Sequence, residues 1–291
     1  MSPTETLPPI VCGVDDHYLL PLGIVMQSLA AAHLDDLADL RLIVLHEDLS
    51  AHGQDSLRRQ ADRLGLSMDL RQLPAPASAG FPVSGWISGA VYLRLSIPEL
   101  VDDARALYLD SDVLVLRSLR PLLRQDLHGF ALAAVRDPQN PLLGGGIALP
   151  GWDRLGLDGA REYFNSGVML LDLAACREQR LFEQARRFLH ERPEHVRFWD
   201  QCALNWAADD QWLRLERTWN TFALSPLAAQ PDFVHHAEPA MPLATLLEDE
   251  QTASIVHFAG PLKPWQANYP GGRLGDLYLR HMPAFAPGED R

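Results

Sequence analysis

Two carboxylates set two residues apart, Asp110 and Asp112, stand in the middle of the run ARALYLDSDVLVL at 104–116, with apolar residues on both sides. A spacing of two is the repeat of an extended chain, so the sequence places both carboxylates on one side of it. Adjacent anions repel unless a cation lies between them. A divalent metal at the carboxyl end of a central strand would meet that need. Two acids in a solvated turn give the same spacing, so the pair gains meaning only from partners elsewhere. Arg94, in a stretch of helical spacing at 91–100, reads either as a snorkelling surface residue or as a donor aimed at a ligand. Asp200, ahead of a short helix at 202–208, reads equally as its N-cap or as a catalytic acid.

The elements that must position these residues follow from the apolar pattern. Runs at 10–14, 40–45, 68–73, 105–109, 113–116, 130–135, 164–173, 212–215 and 254–258 read as strands, the one at 212–215 as an edge strand. Helical spacing marks 22–33, with Pro21 at its first turn, and 54–64, 91–100, 174–192, 202–208 and 273–281. Strand and helix alternate through the first hundred residues, the signature of parallel strands joined by right-handed crossovers. Segments 74–85, 138–159 and 222–247 are rich in Pro, Gly or Ala and read as loops, and Trp86 beside the first is expected to pack in the core.

A chain of 291 residues, 47% hydrophobic and 22% charged, supports one domain with an ample core. The net charge of −13 argues against broad binding to nucleic acid or anionic lipid. Three scattered cysteines, Cys12, Cys176 and Cys202, suit a reducing compartment better than a disulfide framework. Residues 1–9 lack the basic and apolar regions of a secretory signal, and no apolar run approaches the roughly 20 residues of a membrane span. A cytoplasmic chain with no transmembrane segment, and no indicated membrane association, is expected.

Four motifs, in order, carry a family resemblance: Tyr108-Leu109-Asp110-Ser111-Asp112, Phe164-Asn165-Ser166-Gly167-Val168, Asp200-Gln201, and His257-x-x-Gly260-x-x-Lys263-Pro264-Trp265. Spread over most of the chain, they resemble the retaining glycosyltransferases of family 8, which include bacterial lipopolysaccharide galactosyltransferases and glycogenin. The resemblance implies an α/β GT-A fold with a central, mostly parallel sheet. A Rossmann-like nucleotide-sugar half would span about 10–116, an acceptor and metal-completing half about 117–272, and a C-terminal helix and tail 273–291. It further implies a UDP-sugar donor, an acceptor hydroxyl on a glycan or other molecule, and a metal. Asp110, Asp112 and His257 would be its ligands, and a mixed oxygen and nitrogen set favours Mn²⁺, with Mg²⁺ as the second choice. Lys263 would reach the same diphosphate, with Ser111 and Gly260 also at the nucleotide. Gly13 and Asp15 would lie along uracil, Asp15 accepting its N3–H, with Tyr18 stacked on the ring and His17 beside it. Arg94, Asn165, Ser166, Asp200 and Gln201 match positions that hold the sugar. Asp137, after the strand at 130–135, is the acceptor-side candidate. Cys202 stands where relatives often carry a second acid.

The expected reaction moves a hexose, glucose or galactose, from UDP to an acceptor hydroxyl with retention, in bacterial glycan or glycoconjugate synthesis. Retention can run through a covalent intermediate on Asp200 or through same-face attack. Gln201 is a neutral amide and a poor nucleophile. Same-face attack is therefore the expectation, with the departing phosphate taking the acceptor's proton and the Gln201 carbonyl supporting the developing cation. Two other readings remain open. LYLDSDV also fits the nucleophile motif of haloacid dehalogenase-type phosphatases, in which Asp110 would attack phosphate with Mg²⁺ present, though that motif normally lies near the amino terminus. The other is a nucleotide-sugar-binding protein without turnover. The end at 283–291 carries Glu289 and Asp290 and not the basic, aromatic tail of relatives that act on lipid-linked glycans. That points to a soluble acceptor or to a tail outside this chain.

Overall fold

The computed structural model describes residues 6–73, 80–83 and 88–285. Most of the expected loop at 74–85, Trp86, and 286–291 of the tail lie outside the described residues. The strands are β1 (Ile10–Gly13), β2 (Arg41–His46), β3 (Ser67–Gln72), β4 (Arg105–Leu109), β5 (Val113–Val115), β6 (Leu132–Arg136), β7 (Phe164–Asp172), β8 (Leu213–Arg214), β9 (Thr221–Phe222) and β10 (Ile255–His257). Seven of them form one sheet in the order β3-β2-β1-β4-β7-β6-β8. β1 to β4 run parallel, β7 is antiparallel to both β4 and β6, and β8 closes the edge parallel to β6.

The central strands are unbroken apolar runs because both faces of the sheet are covered. Val11, Ile43 and Tyr108 point into one layer, against Phe182, Phe188 and Leu204. Cys12, Val44, Leu107 and Leu109 alternate with them and meet Leu22, Val25 and Met26 of the helix Leu19–Ala32 on the other face. The helix Ala51–Leu64 starts where Ser50 accepts the Gly53 N–H and stops at Gly65, whose φ of 68° is left-handed.

Several expectations need correction. The carboxylates of Asp110 and Asp112 are not brought together by an extended chain. β4 ends at Leu109, residues 110–112 turn, and the chain leaves the large sheet to enter a second one, β5-β10-β9. The stretch 174–192 is two helices, Leu173–Glu178 and Leu181–Glu191, divided at Arg180 with φ 54°. No Gly or Pro marks that break, which is why periodicity runs straight through it. The stretch 91–100 is a 3-10 helix, Gly89–Ser96, followed by one α-turn, Ile97–Leu100. The loop expected at 222–247 contains helices Ser225–Ala228 and Leu243–Asp249. Among the described residues no helix is long and apolar enough to cross a membrane.

β5 is tied to the first helix through one hydroxyl. Ser28 Oγ donates to Val25 O at 2.9 Å and accepts the Val115 N–H at 3.1 Å, with all three groups buried. Ser28→Ala leaves that amide unpaired and is expected to cost about 1–3 kcal/mol of unfolding free energy in urea titration. An unchanged midpoint and slope would show that Val115 finds another partner.

Candidate active site

Both edges of the 110–112 turn are pinned by backbone. Asp110 N–H donates to Gly167 O at 2.8 Å, and Asp112 O accepts from Phe258 N–H at 3.1 Å. The first bond extends the β4–β7 ladder, and the second extends β5–β10, in which His257 pairs with Val113. The turn is thereby held between the Asn165-Ser166-Gly167 segment and His257. Ser111 Oγ closes it toward β1 by donating to Gly13 O at 2.8 Å.

β7 bulges at this segment. Its register against β6 jumps from Met169 opposite Ala134 to Asn165 opposite Val135. The intervening N–H groups turn to side chains, Ser166 N–H to Gln201 Oε1 at 3.2 Å and Gly167 N–H to Asn165 Oδ1 at 3.0 Å. Gly167 is needed for space. A Cβ there would lie 2.4 Å from His257 Cε1 and 2.7 Å from Asp110 Oδ2.

The carboxylates are bridged by cations that the fold buries. Arg94 is 3% exposed and donates to Asp110 Oδ1 at 2.7 Å, to Ser166 O at 2.9 Å and to Ser166 Oγ at 3.1 Å. Its Nε lies 3.2 Å from Asp200 Oδ2, and the guanidinium stacks over Tyr108 at 4.5 Å. Of the two sequence readings the structure selects the inward donor. Burial alone would lower its pKa, but Asp110 and Asp200 carry it above the usual range. Lys263, 2% exposed, donates to Asp112 Oδ2 at 2.5 Å and to Phe258 O at 2.7 Å. Burial opposes charge on Asp112, yet Lys263 and His257 hold its carboxyl well below the ordinary carboxylate range.

The remaining oxygens of the pair face the imidazole: His257 Nε2 lies 3.2 Å from Asp112 Oδ1 and 3.8 Å from Asp110 Oδ2. One ligand atom from each of the three residues falls within 4.8 Å of the other two, a spacing that suits a metal ion. Asp110, Asp112 and Asp200 face two fixed cations, Arg94 and Lys263, which leaves a net negative charge for a divalent ion to offset. Two oxygens and one imidazole nitrogen fit a borderline divalent metal better than a hard one.

Asp200 is the second residue of the helix Trp199–Ala208 and not its cap. Its Oδ2 accepts from Ser166 Oγ at 2.9 Å. Burial pushes its carboxyl up to about 6, with Arg94 pulling the other way and Asp110 adding to the rise. Gln201 Oε1 accepts from Asn165 Nδ2 at 2.8 Å as well as from Ser166, while Nε2 donates to Asp137 Oδ2 at 3.1 Å. Burial raises the Asp137 pKa against four opposing N–H donors, Asn140, Gln139, Gln201 and Asn165. Cys202 reaches no wall of the cleft: its Sγ accepts from Phe198 N–H at 3.1 Å and Arg197 N–H at 3.4 Å, so a thiol pairs the two N–H groups that lead into this helix.

These groups line one cleft of about 1020 Å³, counted out to open solvent. Gly13, Tyr18, Arg94, Asp110, Ser111, Asp112, Asp137, Asn165, Ser166, Asp200, Gln201, His257, Gly260 and Lys263 all border it. Gly260, at φ 95°, makes the turn between His257 and Lys263. Asp15 and His17 are not in the wall; Asp15 Oδ1 accepts from the N–H groups of His17 and Tyr18 and caps a 3-10 turn. Two contacts were not singled out by sequence. Tyr108 OH donates to Asp110 Oδ1 at 2.7 Å, and the strand repeat of two, which sets residue 108 on the face of residue 110, is the signal that could have found it. Asn220, 2.9 Å from His257 Nδ1, belongs to no motif.

Gly167→Ala is expected to displace the imidazole and the Asp110 carboxylate, and so to lower turnover at least about 100-fold, the scale of a roughly 1 Å misplacement. A variant of near-normal turnover would show that the cradle yields. Asp200 gives a pH signature. Its carboxyl rises from 3.8 unfolded to about 6 folded, so its contribution to stability is complete below about pH 4 and is lost as pH rises through about 6. In Asp200→Asn that loss is absent. The metal-free melting temperature of the variant should therefore gain on wild type between pH 4 and pH 7; parallel curves would contradict the assignment.

The comparisons with known proteins agree with this geometry. The model of Glycosyl transferase family 8 matches residues 9–269. The chain is 28% identical to General stress protein A of Bacillus subtilis, over 89% of its own length and 87% of that protein. It is 26% identical to Lipopolysaccharide 1,2-glucosyltransferase of Escherichia coli, over 94% of this chain and 78% of that one. Among solved structures it superposes on the galactosyltransferase LgtC, in complex with donor and acceptor sugar analogs, with a TM-score of 0.75, 25% identity and 94% of each chain covered. The GT-A fold is thereby established, with its mostly parallel central sheet. The phosphatase reading falls, since a match over nearly the whole chain replaces a likeness of one motif, and the reading without turnover falls with it. The chain belongs to Glycosyl transferase family 8 and is a glycosyltransferase that joins a sugar donor to an acceptor.

Proposed function

We propose that the chain transfers a hexosyl group, glucose or galactose, from a UDP-sugar to a hydroxyl acceptor with retention, in the synthesis of a bacterial glycan or glycoconjugate. The observation that carries this reading is the convergence of Asp110 Oδ2, Asp112 Oδ1 and His257 Nε2 in the cleft. A glucosyltransferase and a galactosyltransferase among the similar proteins support the choice of sugar. In this reading residues of about 10–116 bind the nucleotide sugar and about 117–272 complete the metal site and take the acceptor, with 273–291 as a C-terminal helix and tail. Gly13 and Tyr18 take the base end, with Asp15 and His17 just outside the wall. Ser111 and Gly260 shape the turns beside the diphosphate. The three cysteines are buried free thiols, in keeping with a reducing cytoplasm.

Held by Asp110, Asp112 and His257, Mn²⁺, or Mg²⁺ in its place, would offset the charge that grows on the leaving diphosphate. Lys263, anchored on Asp112, adds a fixed positive charge beside the same phosphates. Arg94 orients Asp200 and Asp110 together, while Asn165 and Ser166 hold the sugar's hydroxyls and fix the Gln201 amide. Asp200 has one oxygen engaged by Arg94 and Ser166, which weakens it as a nucleophile and favours same-face attack. The acceptor hydroxyl, positioned from the Asp137 end, passes its proton to the departing phosphate. The Gln201 carbonyl and the Asp200 carboxylate supply negative potential to the sugar as positive charge develops on it.

Thermal unfolding with a panel of nucleotides tests this. UDP-glucose or UDP-galactose at about 100 times its Kd, with Mn²⁺, should add about 2.7 kcal/mol of stability and raise the midpoint by several degrees. GDP-sugars, or either component alone, should do less. A midpoint that ignores UDP-sugar and Mn²⁺ together would overturn the proposal.

A further inference from the structure

From the cleft wall to the residue behind it, four side chains that carry amides or a carboxylate form one directed chain. Asp137 Oδ2 accepts from Gln201 Nε2 at 3.1 Å. Gln201 Oε1 accepts from Asn165 Nδ2 at 2.8 Å, and Asn165 Oδ1 accepts from Asn220 Nδ2 at 2.8 Å. Asn220 Oδ1 then lies 2.9 Å from His257 Nδ1. An amide can be turned end for end, so the direction needs an anchor. Backbone supplies two. A main-chain N–H can only donate, and Ser166 N–H and Gly167 N–H point at Gln201 Oε1 and Asn165 Oδ1. Both oxygens are thereby fixed independently of the side-chain bonds. Turning Asn220 over would set its oxygen against Asn165 Oδ1 and its amide protons against His257 Nδ1.

We propose that Asn220 is a positioning residue for His257: it holds the proton on Nδ1 and thereby keeps the Nε2 lone pair aimed between Asp110 and Asp112. This rests on the metal reading of the preceding subsection and deepens it. Asn220 is 2% exposed and lies outside the cleft wall, so it touches no ligand directly. The ring has little other freedom. Phe222 meets it edge-on at 5.2 Å, and Gly167 crowds its Cε1 side. A histidine ligand whose second nitrogen donates to an oriented acceptor is both fixed in tautomer and made a better base. At the chain's far end Asp137 receives the main-chain N–H groups of Gln139 and Asn140 on Oδ1 and Gln201 Nε2 on Oδ2, a direction that agrees with that imposed by the two backbone donors.

The test is Mn²⁺ titration in the presence of UDP, followed by the spin-resonance signal of the free ion. Asn220→Leu has similar volume but neither accepts nor donates. Asn220→Asp keeps an oxygen for the Nδ1 proton and loses the donor to Asn165. The proposal expects Asn220→Leu to bind Mn²⁺ about 10–100-fold more weakly, and Asn220→Asp to stay near wild type. Equal losses in both variants would mean that Asn220 serves only Asn165, and an Asn220→Leu protein that binds like wild type would also overturn the proposal. Should Asn220→Leu not fold, histidine ¹⁵N spectra of the wild-type protein with UDP and Zn²⁺ decide: a proton on His257 Nδ1 supports the proposal, and one on Nε2 sinks it. Failure of the metal reading looks different, because wild type itself would then show no saturable Mn²⁺ binding.

Discussion

The structure depends on how the chain crosses from one sheet to another at residues 110–112. Leaving β4 and entering β5 obliges the intervening residues to turn, and two backbone bonds, to Gly167 O and from Phe258 N–H, fix where that turn lies. Each bond belongs to the end of a ladder that runs back into a core of fully buried strands. The two acids are therefore placed by the hydrogen-bond registers of two sheets, and not by their own side-chain preferences. Such placement is stiff, which suits groups that must hold a shape before any ligand arrives.

That stiffness carries an electrostatic cost, and the neighbouring residue types answer it. Asp112 and Asp200 are nearly inaccessible to water, and buried charges are tolerated only with partners and hydrogen bonds. Arg94 serves Asp110 and Asp200 at once, with a planar fork that reaches both and Ser166 besides. Lys263 serves Asp112 from a turn that Gly260 makes possible. The two acids respond differently: Asp112, with Lys263 and His257 on it, is held ionised, whereas burial dominates at Asp200. Carboxylates with opposite shifts in one cleft divide the acid and base roles open to the site.

Much of this was legible in the sequence, and the limits have physical causes. The strand and helix alternation over the first hundred residues was readable because buried parallel strands are apolar throughout. The D-x-D pair and its convergence with His257 and Lys263 were readable from motif order, but the geometric reason drawn from spacing was wrong. A period of two describes a strand, and the structure places a turn there, with the two sheets supplying the convergence. The break at Arg180 was hidden because an arginine in left-handed backbone leaves no compositional mark. Asn220 was hidden for another reason. The role proposed for it rests on an amide direction anchored at Asn165 and Gln201, the next two side chains in a bonded chain, and only spatial neighbours reveal that. Cys202 departs from the family pattern; its burial and its two N–H bonds show that it completes a helix start.

β10 holds one further consequence. It is inserted between β5 and β9 and brings His257, and the turn after it brings Lys263, to acids made much earlier in the chain. Lys263 follows Asp112 by 151 residues, which at ribosomal speed is on the order of 10–30 s of synthesis. Throughout that interval the nascent polypeptide carries the two acids while the imidazole and the ammonium that meet them are still unmade. The cleft is thus completed late, and an aborted translation product that stops short of β10 lacks His257 and Lys263 in its wall.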